Sequence, residues 1–135
     1  MNAKILLVDD EADFLELVSY NIRRHGHQVI TASDGLEALS KARQLLPDLI
    51  LLDLMLPLLD GFTVCEILRA QPSTDSIPII MFTALPGEIA RLNGFEAGAD
   101  DYLRKSSTTR GLIECVERIL SRHPKRSRAA DTGAA

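Results

Sequence analysis

The sequence predicts an α/β domain, a doubly wound five-stranded parallel sheet with five helices packed on its two faces. Three observations predict it. Short apolar runs alternate five times with segments of helical period along the chain. Two of those runs are continuous rather than alternating, which is how strands covered on both faces read. The length of 135 residues suits one domain of ordinary size, and five strand-helix units within it call for a parallel sheet.

Each element has its own reason. Lys4–Val8 is a continuous apolar run and the first strand. Phe14, Leu15, Val18 and Ile22 then recur at helical spacing, and His25-Gly26 marks the end of that helix. Gln28–Ala32 is a weaker strand candidate, and Leu49–Leu52 a second continuous run. A helix is expected over residues 62–70, with Gly61 letting the loop before it turn tightly. Residues 77–82 form the fourth strand, with Pro78 near its start, where a missing N–H does least harm. Residues 101–103 are a weak fifth strand. In the last helix Leu112, Ile113, Val116, Ile119 and Leu120 make one apolar stripe facing a core.

Composition narrows the function classes. A chain 46% hydrophobic and 25% charged can bury a core and is expected to be soluble. Its net charge is −4, and the acidic groups lie almost wholly before residue 118, which disfavours direct nucleic-acid binding by the body. Cys65 and Cys115 stand in no CxxC or Cys/His cluster, so neither a zinc site nor a disulfide framework is expected, and a cytoplasmic location fits best. No leader pattern opens the chain. Its greasiest window, residues 45–59, contains Asp48, Asp53, Pro47 and Pro57, so no membrane association is expected. Residues 1–122 read as the domain and 123–135 as a disordered basic tail or the start of a linker.

In such sheets ligands bind at the carboxyl ends of the strands, where the strand order reverses. Asp9 and Asp10 follow the first strand, Asp53 the third, Thr83 the fourth and Lys105 the fifth. Three carboxylates gathered there would repel by roughly 4 kcal/mol per pair at 4 Å and an effective dielectric near 20. Oxygen ligands without nearby His or Cys select a hard cation, Mg²⁺ with Mn²⁺ as a substitute. Asp34, Asp48 and Asp60 read instead as helix caps or turn formers.

These residues resemble the receiver domain of two-component response regulators over about residues 3–122. The resemblance rests on Leu7-Val8-Asp9-Asp10-Glu11, on Asp53-Leu54-Met55-Leu56-Pro57 followed by Asp60-Gly61, and on Phe82-Thr83-Ala84. It is completed by the run from Gly94 to Tyr102 ending in Lys105. It implies a flavodoxin-like sheet of order 2-1-3-4-5. It implies that Asp53 is the phosphoacceptor and that Asp9, Asp10, Asp53 and the Met55 backbone carbonyl hold Mg²⁺. Lys105 and Thr83 would contact the phosphoryl group, with Thr83 and Tyr102 as the switch pair. The implied function is a signalling module that catalyses only its own phosphorylation and dephosphorylation. Its donor would be a histidine kinase or histidine phosphotransfer protein. Phosphorylation would change the surface around the fourth and fifth helices for an effector or a phosphorylation-dependent homodimer.

Two alternatives stand beside this reading: a degenerate receiver acting by binding alone, and the regulatory fragment of a longer DNA-binding transcription factor. A haloacid-dehalogenase-type phosphatase is disfavoured, because its two acids stand two residues apart and Asp9 and Asp10 are adjacent.

The chain also departs from the family pattern. Lys105 is followed by Ser106 rather than proline, so the peptide bond there is expected to be trans, and the following serines and threonines to cap the last helix. Gly111 and Cys115 replace the Glu and Arg with which related receivers form a charged dimer. Arg118 and Arg122 are read as partners of the helix C-terminal dipole. Ala84 leaves an approach to the phosphoryl group flanked by Leu85 and Met55, so slow hydrolysis is expected.

Overall fold

The structure, a computed structural model, describes residues 2–85 and 87–122; the expected tail at 123–135 lies outside the described residues. The order of elements is β1 (Lys4–Val8), α1 (Ala12–Arg24), β2 (Gln28–Ala32), α2 (Gly35–Leu45), β3 (Leu49–Leu52), α3 (Gly61–Arg69), β4 (Ile79–Thr83), α4 (Glu88–Ala97), β5 (Asp101–Arg104) and α5 (Thr109–Arg122). The strands form one sheet of order β2-β1-β3-β4-β5, every neighbouring pair parallel. Winding reverses between β1 and β3, the two strands that carry the acids.

The continuous apolar runs are explained by two cores, one on each side of the sheet. Leu6, Val8, Ile50, Leu52, Ile79 and Met81 face Leu39, Val64 and Leu68 of α2 and α3. Their neighbours Ile5, Leu7, Leu49, Leu51, Ile80 and Phe82 face Val18 and Ile22 of α1 and the buried stripe of α5. Successive strand side chains alternate between faces, so both registers must be apolar. The edge strands differ: Gln28 of β2 is exposed and Asp101 of β5 half-buried.

Local chemistry sets the ends. Asp34 and Asp60 cap α2 and α3 by accepting from the Glu37 and Thr63 amides. Asp48 caps no helix. Its carboxylate accepts from the Lys4 amide while its own amide donates to the Lys4 carbonyl, which ties the start of β3 to β1. The fourth strand begins at Ile79 rather than at residue 77, since the Pro78 amide cannot join the ladder and its carbonyl serves Ile50 instead. Thr108 caps α5, its hydroxyl accepting from the Gly111 amide at 3.0 Å, as the sequence led us to expect.

Arg118 does not serve the helix dipole. Its guanidinium pairs with Asp101 at 2.8 Å. Both cysteines are buried, and burial pushes their thiols up, Cys65 to about 11 and Cys115 to about 12, which keeps both protonated at neutral pH. Among the described residues, no helix is long and apolar enough to cross a membrane.

Candidate functional site

The ladder carries Asp9 and Asp53 one residue past their strands, with Asp10 next along. The Asp9 amide donates to the Ala32 carbonyl and the Asp53 amide to Val8, so both backbones are fixed by the sheet at its winding reversal. The Lys105 amide donates to the Thr83 carbonyl and brings the end of β5 level with them. One oxygen each of Asp9, Asp10 and Asp53 lies within 4.8 Å of the others. Asp9 and Asp53 are buried and Asp10 is exposed, which leaves one side of the cluster open to water.

The two buried carboxylates are held alike. Asp9 Oδ1 accepts from the Glu11 amide at 2.9 Å and Asp53 Oδ1 from the Met55 amide at 3.3 Å. The Lys105 ammonium bridges their second oxygens, at 2.6 Å from Asp9 Oδ2 and 3.0 Å from Asp53 Oδ2. Burial raises the Asp9 carboxyl against the contrary pull of Lys105. For Lys105, burial acts downward, but its bonds to Asp9 and Asp53 outweigh it and hold the ammonium above its ordinary range, so it stays charged at neutral pH.

The donor set fits a small hard cation. It is all oxygen, it combines carboxylates with a water-facing side, and it lacks His or Cys. The cluster can therefore hold a divalent ion between its carboxylates.

Thr83 is fully buried, and its hydroxyl accepts from the Leu85 amide at 3.2 Å. Tyr102 is half-buried over the α3–α4 side of the sheet, and its hydroxyl donates to the Leu85 carbonyl at 2.5 Å. Met55 and Ala84 are exposed, and Leu85 is half-buried with part of its side chain packed against the core. The peptide bond after Lys105 is trans, as expected.

Two residues at the site escaped the sequence reading. Glu11 contacts the Lys105 ammonium at 3.2 Å, and the Phe14 ring lies beneath it at 4.6 Å. Glu11 stands next to the acid pair, which was a usable signal, but Phe14 was indistinguishable from the core stripe of its helix. Gly61 matters for another reason than the one inferred. Its φ is not positive, and a Cβ there would lie 2.3 Å from the Asp53 carbonyl oxygen.

The profile of the response regulator receiver domain matches residues 5–117. The chain is 51% identical over 122 residues to the alkaline phosphatase synthesis transcriptional regulatory protein PhoP of Bacillus subtilis, covering 90% of this chain and 50% of that one. It is 43% identical over 127 residues to the DNA-binding dual master transcriptional regulator RpaA of Synechocystis, covering 94% and 53%. The chain thus spans about half the length of these curated relatives. A solved putative response regulator from Chloroflexus aurantiacus superposes with a TM-score of 0.85 at 38% identity, covering 90% of this chain and 99% of that one.

Proposed function

The chain belongs to the response regulator receiver domain family, and from that premise we propose that Asp53 accepts a phosphoryl group from a phosphohistidine on a histidine kinase or phosphotransfer protein in the cytoplasm. The observation that carries this assignment is the meeting of Asp9, Asp10 and Asp53 within 4.8 Å, with Lys105 bridging two of them.

In the proposed step an Asp53 carboxylate oxygen attacks phosphorus and forms a P–O bond. The P–N bond to the donor imidazole breaks, and its electron pair stays on that nitrogen. Asp53 is suited to this by its fixed backbone and by the Met55 amide, which orients one oxygen and leaves the other toward Lys105. The Lys105 ammonium stabilises charge on the transferring oxygens without reorganising. Asp9, Asp10, Asp53 and the Met55 carbonyl would hold Mg²⁺, which supplies further charge stabilisation at the phosphoryl oxygens when bound. The Thr83 hydroxyl can donate to a phosphoryl oxygen once it releases the Leu85 amide from its present arrangement, and Tyr102, bound to the same residue, would follow. The surface of α4, β5 and α5 would then change for an effector.

The test is incubation with Mg²⁺ and acetyl phosphate. A mass gain of one phosphoryl group that disappears in Asp53→Asn and with chelator is expected. Absence of any gain in the unaltered protein would assign the chain to receivers that act by binding alone.

A further inference from the structure

The Lys105 ammonium, paired with Asp9 and Asp53, also lies against the ring of Phe14, which is itself backed by a second ring. The ammonium sits 4.6 Å from the centroid of the Phe14 ring, inside the reach of about 6 Å over which a cation is attracted to a ring face. The ring of Phe14 packs on Phe82 at 5.4 Å with the planes tilted by 43°. Phe82 is buried and directly precedes Thr83, so this support is anchored in the sheet.

The remaining residues of the α1 stripe, Leu15, Val18 and Ile22, are aliphatic, so Phe14 is the one member of that stripe whose side chain can also offer a ring face to a cation. On the helix side of the lysine lies a cavity of about 100 Å³, lined by Phe14, Phe82, Lys105, Thr108 and Leu112 among others. A flexible lysine stem has room to swing into that space, and the ring face opposes the swing by attracting the ammonium where it already meets Asp9 and Asp53.

We propose that Phe14 is a positioning residue for the phosphorylation chemistry: its ring forms a shelf that holds the Lys105 ammonium over Asp9 and Asp53. This rests on the reading of Asp53 as phosphoacceptor and of Lys105 as its charge partner.

The experiment compares Phe14→Leu with Phe14→Tyr, each alone and in a Lys105→Met background. Three quantities are read: the rate of Asp53 phosphorylation by acetyl phosphate, Mg²⁺ affinity, and the NMR position of the Lys105 ε-methylene protons in metal-free protein. Phe14→Leu should slow phosphorylation about three- to tenfold, the effect of losing one partly exposed cation–ring contact, with Mg²⁺ affinity unchanged. Phe14→Tyr keeps the ring and should keep the rate within about twofold. In the Lys105→Met background Phe14→Leu should add nothing, since the two changes remove one interaction. The Lys105 ε-methylene resonances should be shifted upfield by the ring in the unaltered protein and in Phe14→Tyr, and not in Phe14→Leu.

Wild-type rates in Phe14→Leu, or equal slowing with and without Lys105, overturn the proposal. So does an unshifted ε-methylene in the unaltered protein, a measurement that needs no variant. Failure of the phosphoacceptor reading is distinguishable, because it removes phosphorylation from every protein tested while the ring-current shift still reports on the shelf.

Discussion

Thr83 and Tyr102 are joined through the backbone of a single residue. The Leu85 amide donates to Thr83 Oγ1 at 3.2 Å, and the Leu85 carbonyl accepts from the Tyr102 hydroxyl at 2.5 Å. Two side chains 19 positions apart in sequence thus bond to the two backbone polar groups of one residue.

That sharing makes an expectation about additivity. Thr83→Ala and Tyr102→Phe should each lower unfolding free energy by about 1 kcal/mol, the usual worth of one partly buried hydrogen bond. Together they should cost less than the sum of the two, since the first change already frees Leu85. Urea unfolding of the two single variants and the double variant measures this, and full additivity would show the bonds to be independent.

Gly61→Ala should be poorly tolerated. Its Cβ would meet the Asp53 carbonyl oxygen at 2.3 Å and Leu54 Cα at 2.8 Å, both backbone atoms that cannot swing aside. A loss of about 2–3 kcal/mol is expected, as for other overpacked positions. The displaced Asp53 should also lose most of its reactivity toward acetyl phosphate. Gly87→Ala is the control: its φ of +108° adds strain, but nothing lies within 4 Å, so phosphorylation should survive.

Leu58→Gly should stabilise the protein. Leu58 has φ +70°, and the Leu59 amide donates to the Pro57 carbonyl around it at 2.8 Å, a tight three-residue turn of the strained kind. Its side chain is 74% exposed, so little packing is lost on removal. Relief of about 1–2 kcal/mol of left-handed strain, less about 0.5–1 kcal/mol of added chain entropy, leaves a gain below about 1.5 kcal/mol. Thermal unfolding reads it directly.

The Arg118–Asp101 pair should report on pH. Burial acts to raise the Asp101 carboxyl, but the Arg118 guanidinium and the Tyr102 amide outweigh it and hold it below its ordinary value of 3.8. A carboxyl lowered in the folded state adds stability above its unfolded value, and that stability is lost as pH falls through the folded one. Arg118→Met should therefore cost about 0.5 kcal/mol at pH 7, a small figure because Arg118 is half exposed and water screens the pair. The gap to the unaltered protein should close below pH 3.8, as followed by urea midpoints across the acid range.

How far the sequence could be read follows from where each signal lives. β1, β3 and most of β4 were plain because both their faces are buried and demand unbroken apolar runs. β2 and β5 were faint because they are edges whose outer faces admit Gln28 and Asp101. The acids could be placed by combining strand ends with the winding reversal, and the family motifs then singled out Asp53. The two further partners of Lys105, Glu11 and Phe14, could not be found that way. Glu11 meets it across 94 positions, and the ring of Phe14 is an ordinary member of an apolar stripe until the last strand is set beside it. Asp48 was misassigned for a like reason: a carboxylate bonding to an adjacent strand leaves the same trace in sequence as one capping a helix.

The contact between Gly61 and the Asp53 carbonyl has a bearing on how this reaction centre can diversify. The space between Gly61 and the Asp53 backbone is already filled by main chain, so no side chain can be introduced there. Met55 and Ala84, two residues after Asp53 and one after Thr83, are exposed and can change size or charge without pressing on that carbonyl. The lifetime of the phosphoryl group proposed for Asp53 should accordingly be adjustable by exchanges at Met55 and Ala84, on a scaffold that stays the same.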